Sequence, residues 1–302
     1  MRAGFWIIVV AVALAVFSGL CWLDRRPPPT LQALASAGET RQLWSRLVAG
    51  EDADSLDSRG WSPLASAVVG GHLTAVKMLI SAGAEINRPG PHGNTVLHLA
   101  AQQGTPEIIQ ELIRSGASVQ AVNEDGDTPL CLAVQSGSSS IDLFIAAGAL
   151  SGDATCKGEN YLFEAARYGN TRLLGILLDR GIDVNTRSEN GASALHYAVN
   201  RGHLDAIQLL LDLGADINLQ DNHGWTPLHH AVRNGQRNAL HLLLSQSAQL
   251  ELRDDSGCTP LLLARRMGCR DLEQELTLYG ADTQAQVIAN RKFSANNSSF
   301  VR

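Results

Sequence analysis

The sequence predicts an all-α stack of helix–turn–helix repeats, and three observations predict it. Glycines recur at a fixed step: Gly60, Gly93, Gly126, Gly158, Gly191, Gly224 and Gly257 follow one another at 33, 33, 32, 33, 33 and 33 residues. Shortly after most of them, a hydroxyl residue precedes a short apolar run, as in Ser62-Pro63, Thr128-Pro129, Thr226-Pro227 and Thr259-Pro260. The second half of each period then repeats an apolar pattern at helical spacing, as in "GHLTAVKMLISAGAEIN" from Gly71 and "GHLDAIQLLLDLGADIN" from Gly202. A fixed period in this range is the signature of a stacked array.

Each element follows from its residues. A hydroxyl N-cap followed by proline at the first helical position starts the first helix. That helix runs about eight residues to a glycine such as Gly202 or Gly235. The second helix carries Ile207, Leu210 and Leu211 on one face and ends at Gly83, Gly116, Gly148, Gly181, Gly214 or Gly280, suited to a left-handed cap. An extended stretch such as "ADINLQDNHG" follows, with Asp, Asn and Gly fit for a tight turn. One hairpin cannot bury its own apolar face, so neighbours share a core. Eight stacked units, with helices ~8–10 Å apart, would extend about 60–80 Å.

The expected organisation is a transmembrane anchor or uncleaved signal at 1–26, a degenerate capping repeat at 27–59, seven repeats at 60–289 and a disordered tail at 290–302. The caps are read from polar substitutions. Glu273, Glu275 and Thr277 stand where an inner unit has Ile207, Leu209 and Leu211, and Gln42, Ser45 and Arg46 break the first unit's pattern. One unit departs from the period: Gly137 to Gly148 is one residue short, "SSS" fills its turn, and "ENYLFEA" follows in place of the usual motif. A kink or loosening is expected around residues 137–165.

The motif copies are "SPLASA", "TVLHLA", "TPLCLA", "SALHYA", "TPLHHA" and "TPLLLA". On these, the chain resembles the ankyrin repeat family over roughly residues 28–288. The resemblance implies a solenoid whose concave face, lined by the turn tips and the ends of the first helices, docks a protein.

The N-terminus bears on location. "FWIIVVAVALAVFSGLCWL", Phe5 to Leu23, carries no charge over nineteen residues, with Trp6 and Trp22 near its ends. A helix of that length matches the ~30 Å hydrocarbon core. A single-pass anchor fits best. A cleaved signal, leaving a secreted or periplasmic protein, competes through "VFS", and a lipoprotein fits poorly because Leu20 precedes Cys21. Arg2 on one side and Arg25 and Arg26 on the other nearly balance the positive-inside count. The short N-terminus favours repeats on the extracytoplasmic side.

Composition bounds the partner. A net charge of −6 argues against nucleic acid as the default. Cys258 and Cys269 are too far apart along helix and turn to pair. Cys131 and Cys156 meet only if the irregular unit folds back, and Cys131 reads better as a buried small hydrophobe.

His98, His196 and His229 in the motif, and His72 and His203 after glycine, read as structural. Equivalent positions in adjacent units lie near 10 Å apart, too far to share an ion. The irregular His223, His230 and His241 leave a weak metal reading. No catalytic constellation, cofactor motif or small-molecule site is present in the sequence.

The concave face is therefore the candidate. Its tips offer Arg59, Trp61, His92, Asn94, Asp127, Glu159, His223 and Trp225, and its first-helix ends offer Gln102, Gln103, Arg167, Tyr168, Arg201, Arg233 and Arg266. Trp61, Arg167, Tyr168, Arg201, Trp225, Arg233 and Arg266 are the expected partner-binding residues, being of types enriched in interface hot spots. The four arginines would form a ladder for an acidic protein partner. The function expected is a membrane-anchored scaffold. Alternatives are a bacterial envelope protein that neutralises a toxin or protects an exported enzyme, and a metal- or redox-linked stress protein.

Overall fold

The computed structural model describes residues 28–151 and 155–281. These residues hold sixteen α-helices in eight consecutive pairs. Among them there is no strand, only an isolated antiparallel bridge between Cys156 and Glu159. The pairs are α1 (Leu31–Ala37) with α2 (Thr40–Val48), α3 (Pro63–Val69) with α4 (Leu73–Ser81), α5 (Val96–Gln103) with α6 (Pro106–Arg114), and α7 (Pro129–Gln135) with α8 (Ile141–Ala146). They continue as α9 (Tyr161–Arg167) with α10 (Thr171–Asp179), α11 (Ala194–Arg201) with α12 (Leu204–Asp212), α13 (Pro227–Arg233) with α14 (Arg237–Ser245), and α15 (Pro260–Arg266) with α16 (Arg270–Leu278). The apolar segment at 5–23 and the tail at 290–302 lie outside the described residues. Within the described residues no helix is long and apolar enough to cross a membrane.

The local code of the sequence is visible at the ends of several helices. Hydroxyl oxygens of Ser62, Thr128 and Thr259 accept the N–H three residues on, at 3.1, 3.2 and 3.3 Å, satisfying a donor that the first turn leaves open. Gly202 closes α11 at φ +74° and Gly214 follows α12 at φ +87°, a region where glycine meets no Cβ penalty.

The chain divides into two compact units between Pro91 and His92. The first contains α1 to α4, closed over Leu34, Leu43, Leu64, Val68 and Leu79. In it, His72 Nε2 meets the Ser36 carbonyl at 3.0 Å, tying the second pair to the first. The second unit contains α5 to α16. Its core runs through Leu97, Ile109, Leu130, Phe144, Leu162, Leu173, Leu195, Leu210, Leu228, Leu240 and Leu261, all buried. First helices pack on first helices along this unit, least extensively between α7 and α9.

Most of the tips are joined to the next. Asp221 Oδ1 accepts the N–H groups of His223 and Trp225, each at 2.9 Å. Four of the five steps between tips in the second unit are linked, by Glu124 N–H to the His92 carbonyl (3.0 Å), Lys157 N–H to Gly126 (2.9 Å), Asn222 N–H to Asn190 (3.0 Å) and Asp255 N–H to His223 (3.1 Å). Gly224 lies in this chain of contacts at φ +73°, and a Cβ there would stand 2.9 Å from the Asp255 nitrogen and 3.0 Å from Asp254 Cα. Gly214 has open space instead. Gly224→Ala is expected to cost more than Gly214→Ala, which carries only the left-handed strain of about 1–2 kcal/mol. Urea unfolding of the two variants compares them, and equal midpoints would contradict the tip contact.

Two expectations are corrected. Cys131 is buried, but it is bonded to Cys156 rather than standing as a free hydrophobe. The shortened unit does fold back: α8 has six residues where α6, α10, α12 and α14 have nine, and the chain returns Cys156 beneath α7. Glu275, read as part of a polar outer face, is 9% exposed and pairs with Arg237 of α14 at 3.3 Å. Thr277 beside it is exposed, and Glu273 pairs with Arg265 at 2.7 Å.

Candidate partner-docking surface

A recurrent geometry builds the inner row of the second unit. In four periods the residue before the N-cap lies at the base of the tip, and the residue eight positions later ends the first helix. The two meet: Gln135 Nε2 donates to Asp127 Oδ1 at 3.0 Å, Arg167 reaches Glu159 Oε2 at 3.8 Å, Arg233 lies over the Trp225 ring at 4.7 Å, and Arg266 Nη1 approaches Cys258 Sγ at 2.9 Å. About two turns of helix separate such residues, so these four pairs bring tip and helix-end side chains together along the inner row.

The expected residues fall differently along it. Arg233 is exposed, stacked on a half-buried Trp225 that also packs edge-on against His230. Arg266 is exposed one period later, and Tyr168 is 41% exposed. Arg201 is exposed too, but Asn200 occupies the register of Arg167, Arg233 and Arg266. One residue turns a helix by about 100°, so Arg201 leans off the row. Trp61 is half-buried in the first unit, beside Gln32, Ala65 and Val69.

Arg167 is committed internally. Its Nη1 donates to Glu164 Oε1 at 2.6 Å, its guanidinium lies 4.7 Å from the centre of the Tyr197 ring, and its carbonyl meets His203 Nε2 at 3.0 Å. Glu164 is 2% exposed, and its other oxygen is buried with no hydrogen-bond partner. Burial pushes the Glu164 carboxyl above its ordinary range, against the pull of Arg167 and Lys157. Sequence reading missed this pair, although a glutamate standing where other units carry Leu99, Leu132 and Leu263, three residues before an arginine, was the available signal.

The histidines are accounted for by the frame. In His98, His196 and His229, Nδ1 accepts the N-cap backbone N–H at 3.1, 3.0 and 3.2 Å. Nε2 then donates across the joint to the carbonyls of Asp127, Trp225 and Cys258, each at 3.1 Å. Both ring nitrogens are occupied. Burial, with the neighbouring His230, lowers His196 to about 4. His230 Nε2 bonds Asp221 Oδ2 at 3.0 Å, and burial still lowers its pKa. For Asp221 burial acts upward, but the His230 bond and the Trp225 and His223 N–H groups together bring it below the usual carboxylate value. His241 instead meets Tyr279. Among the described residues, the group with three ligand-type atoms close enough for a metal is Asp127, Cys131 and Cys156, whose sulfurs are joined to each other.

Paired helices, hydrogen-bonded tips and an open inner row define a repeat scaffold for protein interaction. The family model for ankyrin repeats (three copies) matches residues 31–123, 97–188, 142–221, 162–254 and 195–287. The chain belongs to the ankyrin repeat family. It is similar to the human ASB11 ankyrin repeat domain, known from its crystal structure, with 29% identity over 74% of this chain and 99% of that chain and a TM-score of 0.65. None of the curated proteins compared with the chain matches it.

Proposed function

We propose that this protein is a membrane-anchored docking scaffold whose inner row, from Trp225 to Arg266, takes an acidic segment of a protein partner. The observation that carries the reading is the Trp225–Arg233 stack. The exposed guanidinium sits over an indole at 4.7 Å rather than against a carboxylate, so it stays accessible to a partner. A stacked arginine beside tryptophan combines the two residue types most enriched among interface hot spots. Arg266 extends the positive charge along the row and Arg201 flanks it, while Arg167 holds the frame. Pre-organised rows of this kind bind with little backbone change.

The anchor rests on the uncharged stretch from Phe5 to Leu23, and its short N-terminal flank favours repeats on the extracytoplasmic side. A reporter active only outside the cytoplasm, fused after Arg302, is expected to give signal with the chain at full mass. A cytoplasmic signal would reverse the orientation, and a shortened chain would replace the anchor by a cleaved signal.

For the row, the variant is Arg201→Glu/Arg233→Glu/Arg266→Glu. Cross-linked partners of the full-length protein are expected to fall at least tenfold, and the far-ultraviolet circular dichroism to stay unchanged. Wild-type capture is expected to weaken as salt rises, because exposed charges are screened. A partner set that survives the triple reversal removes the inner row from the reading.

A further inference from the structure

His98, His196 and His229 clamp their own unit to the next tip through Nε2. The equivalent residue of the α7 unit is Cys131, which has no ring donor to extend. Its sulfur is bonded to Cys156, with Cα atoms 5.6 Å apart, within the span of a disulfide.

Cys156 occupies a defined place in its tip. Its N–H donates to Glu159 at 2.8 Å, as Asp221 N–H donates to Trp225 and Asp254 N–H to Cys258, both at 2.9 Å. In three other tips of the second unit this position carries a side-chain oxygen that gathers the tip: Asp221 and Asp254 bind N–H groups two and four residues on, and so does Asn123. Cysteine has no such oxygen. At the α7–α9 joint the cross-joint histidine and the tip-closing carboxylate or amide at this position are both replaced, and the two residues in their places are bonded to each other. Within the second unit the same joint follows the shortest outer helix and has the least packing between first helices.

We propose that the Cys131–Cys156 disulfide is a reducible clamp that substitutes for both devices. It holds the α9 tip against α7, and reduction of this bond loosens the inner row at Lys157, Glu159 and Arg167. Lys157 is tied to this joint by its N–H to Gly126 at 2.9 Å and by its ammonium to Asp127 at 3.4 Å. The chemistry is thiol–disulfide exchange with a dithiol reductant. One thiolate of the dithiol attacks a clamp sulfur and displaces the other as thiolate. The second thiol of the reductant resolves the mixed disulfide, so the dithiol becomes a disulfide and Cys131 and Cys156 each gain one electron and one proton. Both cysteines are fully buried, so attack follows local opening of the tip. The clamp persists in an oxidising compartment. Only its consequence for docking rests on the inner-row reading.

The test uses the full chain, isolated from cells with N-ethylmaleimide present and mapped by mass spectrometry without reduction. A Cys131–Cys156 cross-link is expected, with Cys258 and Cys269 alkylated. Complete reduction by dithiothreitol is then expected to lower Tm by about 5–10 °C and to speed amide exchange chiefly over residues 128–167. Cys131→Ser/Cys156→Ser is expected to melt at the lower temperature and to ignore the reductant. Alkylated Cys131 and Cys156 in the trapped protein, or unchanged melting and exchange on full reduction, overturns the clamp. The triple arginine reversal keeps the reductant response, so lost capture with an intact response bears on docking alone, and lost response with intact capture bears on the clamp alone.

Discussion

Lowering the pH from about 6.5 to about 4 is expected to unfold the second unit progressively, with His196 alone contributing about 3 kcal/mol of the loss. The sign follows from the depressed value. The unfolded chain takes up a proton near the ordinary histidine value of 6.5, whereas folded His196 stays neutral until about 4. Between those values the unfolded state binds more protons, so stability is full above the upper one and falls as pH drops to the lower one. Burial lowers His98, His229 and His230 as well, adding losses of the same sign. Asp57, Asp221 and Asp254 lie below their ordinary 3.8, so the stability they contribute is lost at still lower pH.

The structural cause is the occupied ring. A protonated His196 would need its Nδ1 to donate, but that atom faces the Ser193 N–H at 3.0 Å. Urea unfolding at a series of pH values checks this. His196→Gln is expected to lower stability at neutral pH and to flatten the acid slope. A slope unchanged by the substitution would assign the acid loss to other groups.

Replacing Arg167 by alanine is expected to cost about 3 kcal/mol at neutral pH, because it leaves Glu164 as a buried charge without its counter-ion. Glu164 is 3% exposed at its side chain, and Arg167 is 28% exposed, so the pair is shielded far better than a surface bridge. Burial already raises Glu164, and removing the arginine raises it further. The cost therefore shrinks in mild acid, where the carboxyl takes a proton. Glu164→Gln placed in the Arg167→Ala background is expected to recover most of the loss. A double-mutant cycle by urea unfolding measures the coupling, and a coupling near zero would return Arg167 to the set of free docking residues.

This pair marks how far the candidate surface was legible. Arg167, Arg233 and Arg266 read alike from the sequence because they share a helix position. Their roles diverge through what stands three residues earlier and at the tip: Glu164 and Glu159 for the first, His230 and Trp225 for the second, Leu263 and Cys258 for the third. Arg201 looked equivalent as well, and a one-residue offset moves it aside. Trp225 and Arg233 are both among the residues the sequence assigns to partner binding, and the structure stacks them on each other.

The sequence by itself determined the repeat, the paired helices and their ends. Those features rest on interactions within a few residues: hydroxyl caps, left-handed glycines, apolar faces at helical spacing. Only the tertiary structure decided which inner-row cations are bound internally, that Glu275 turns inward to Arg237, and that Cys131 finds Cys156. Each of these joins residues of neighbouring pairs or balances a charge against burial. A change of one residue in the period, as between Gly137 and Gly148, shifts what meets across a joint, because the partner lies a whole repeat away in the chain and is positioned by packing rather than by local turn chemistry.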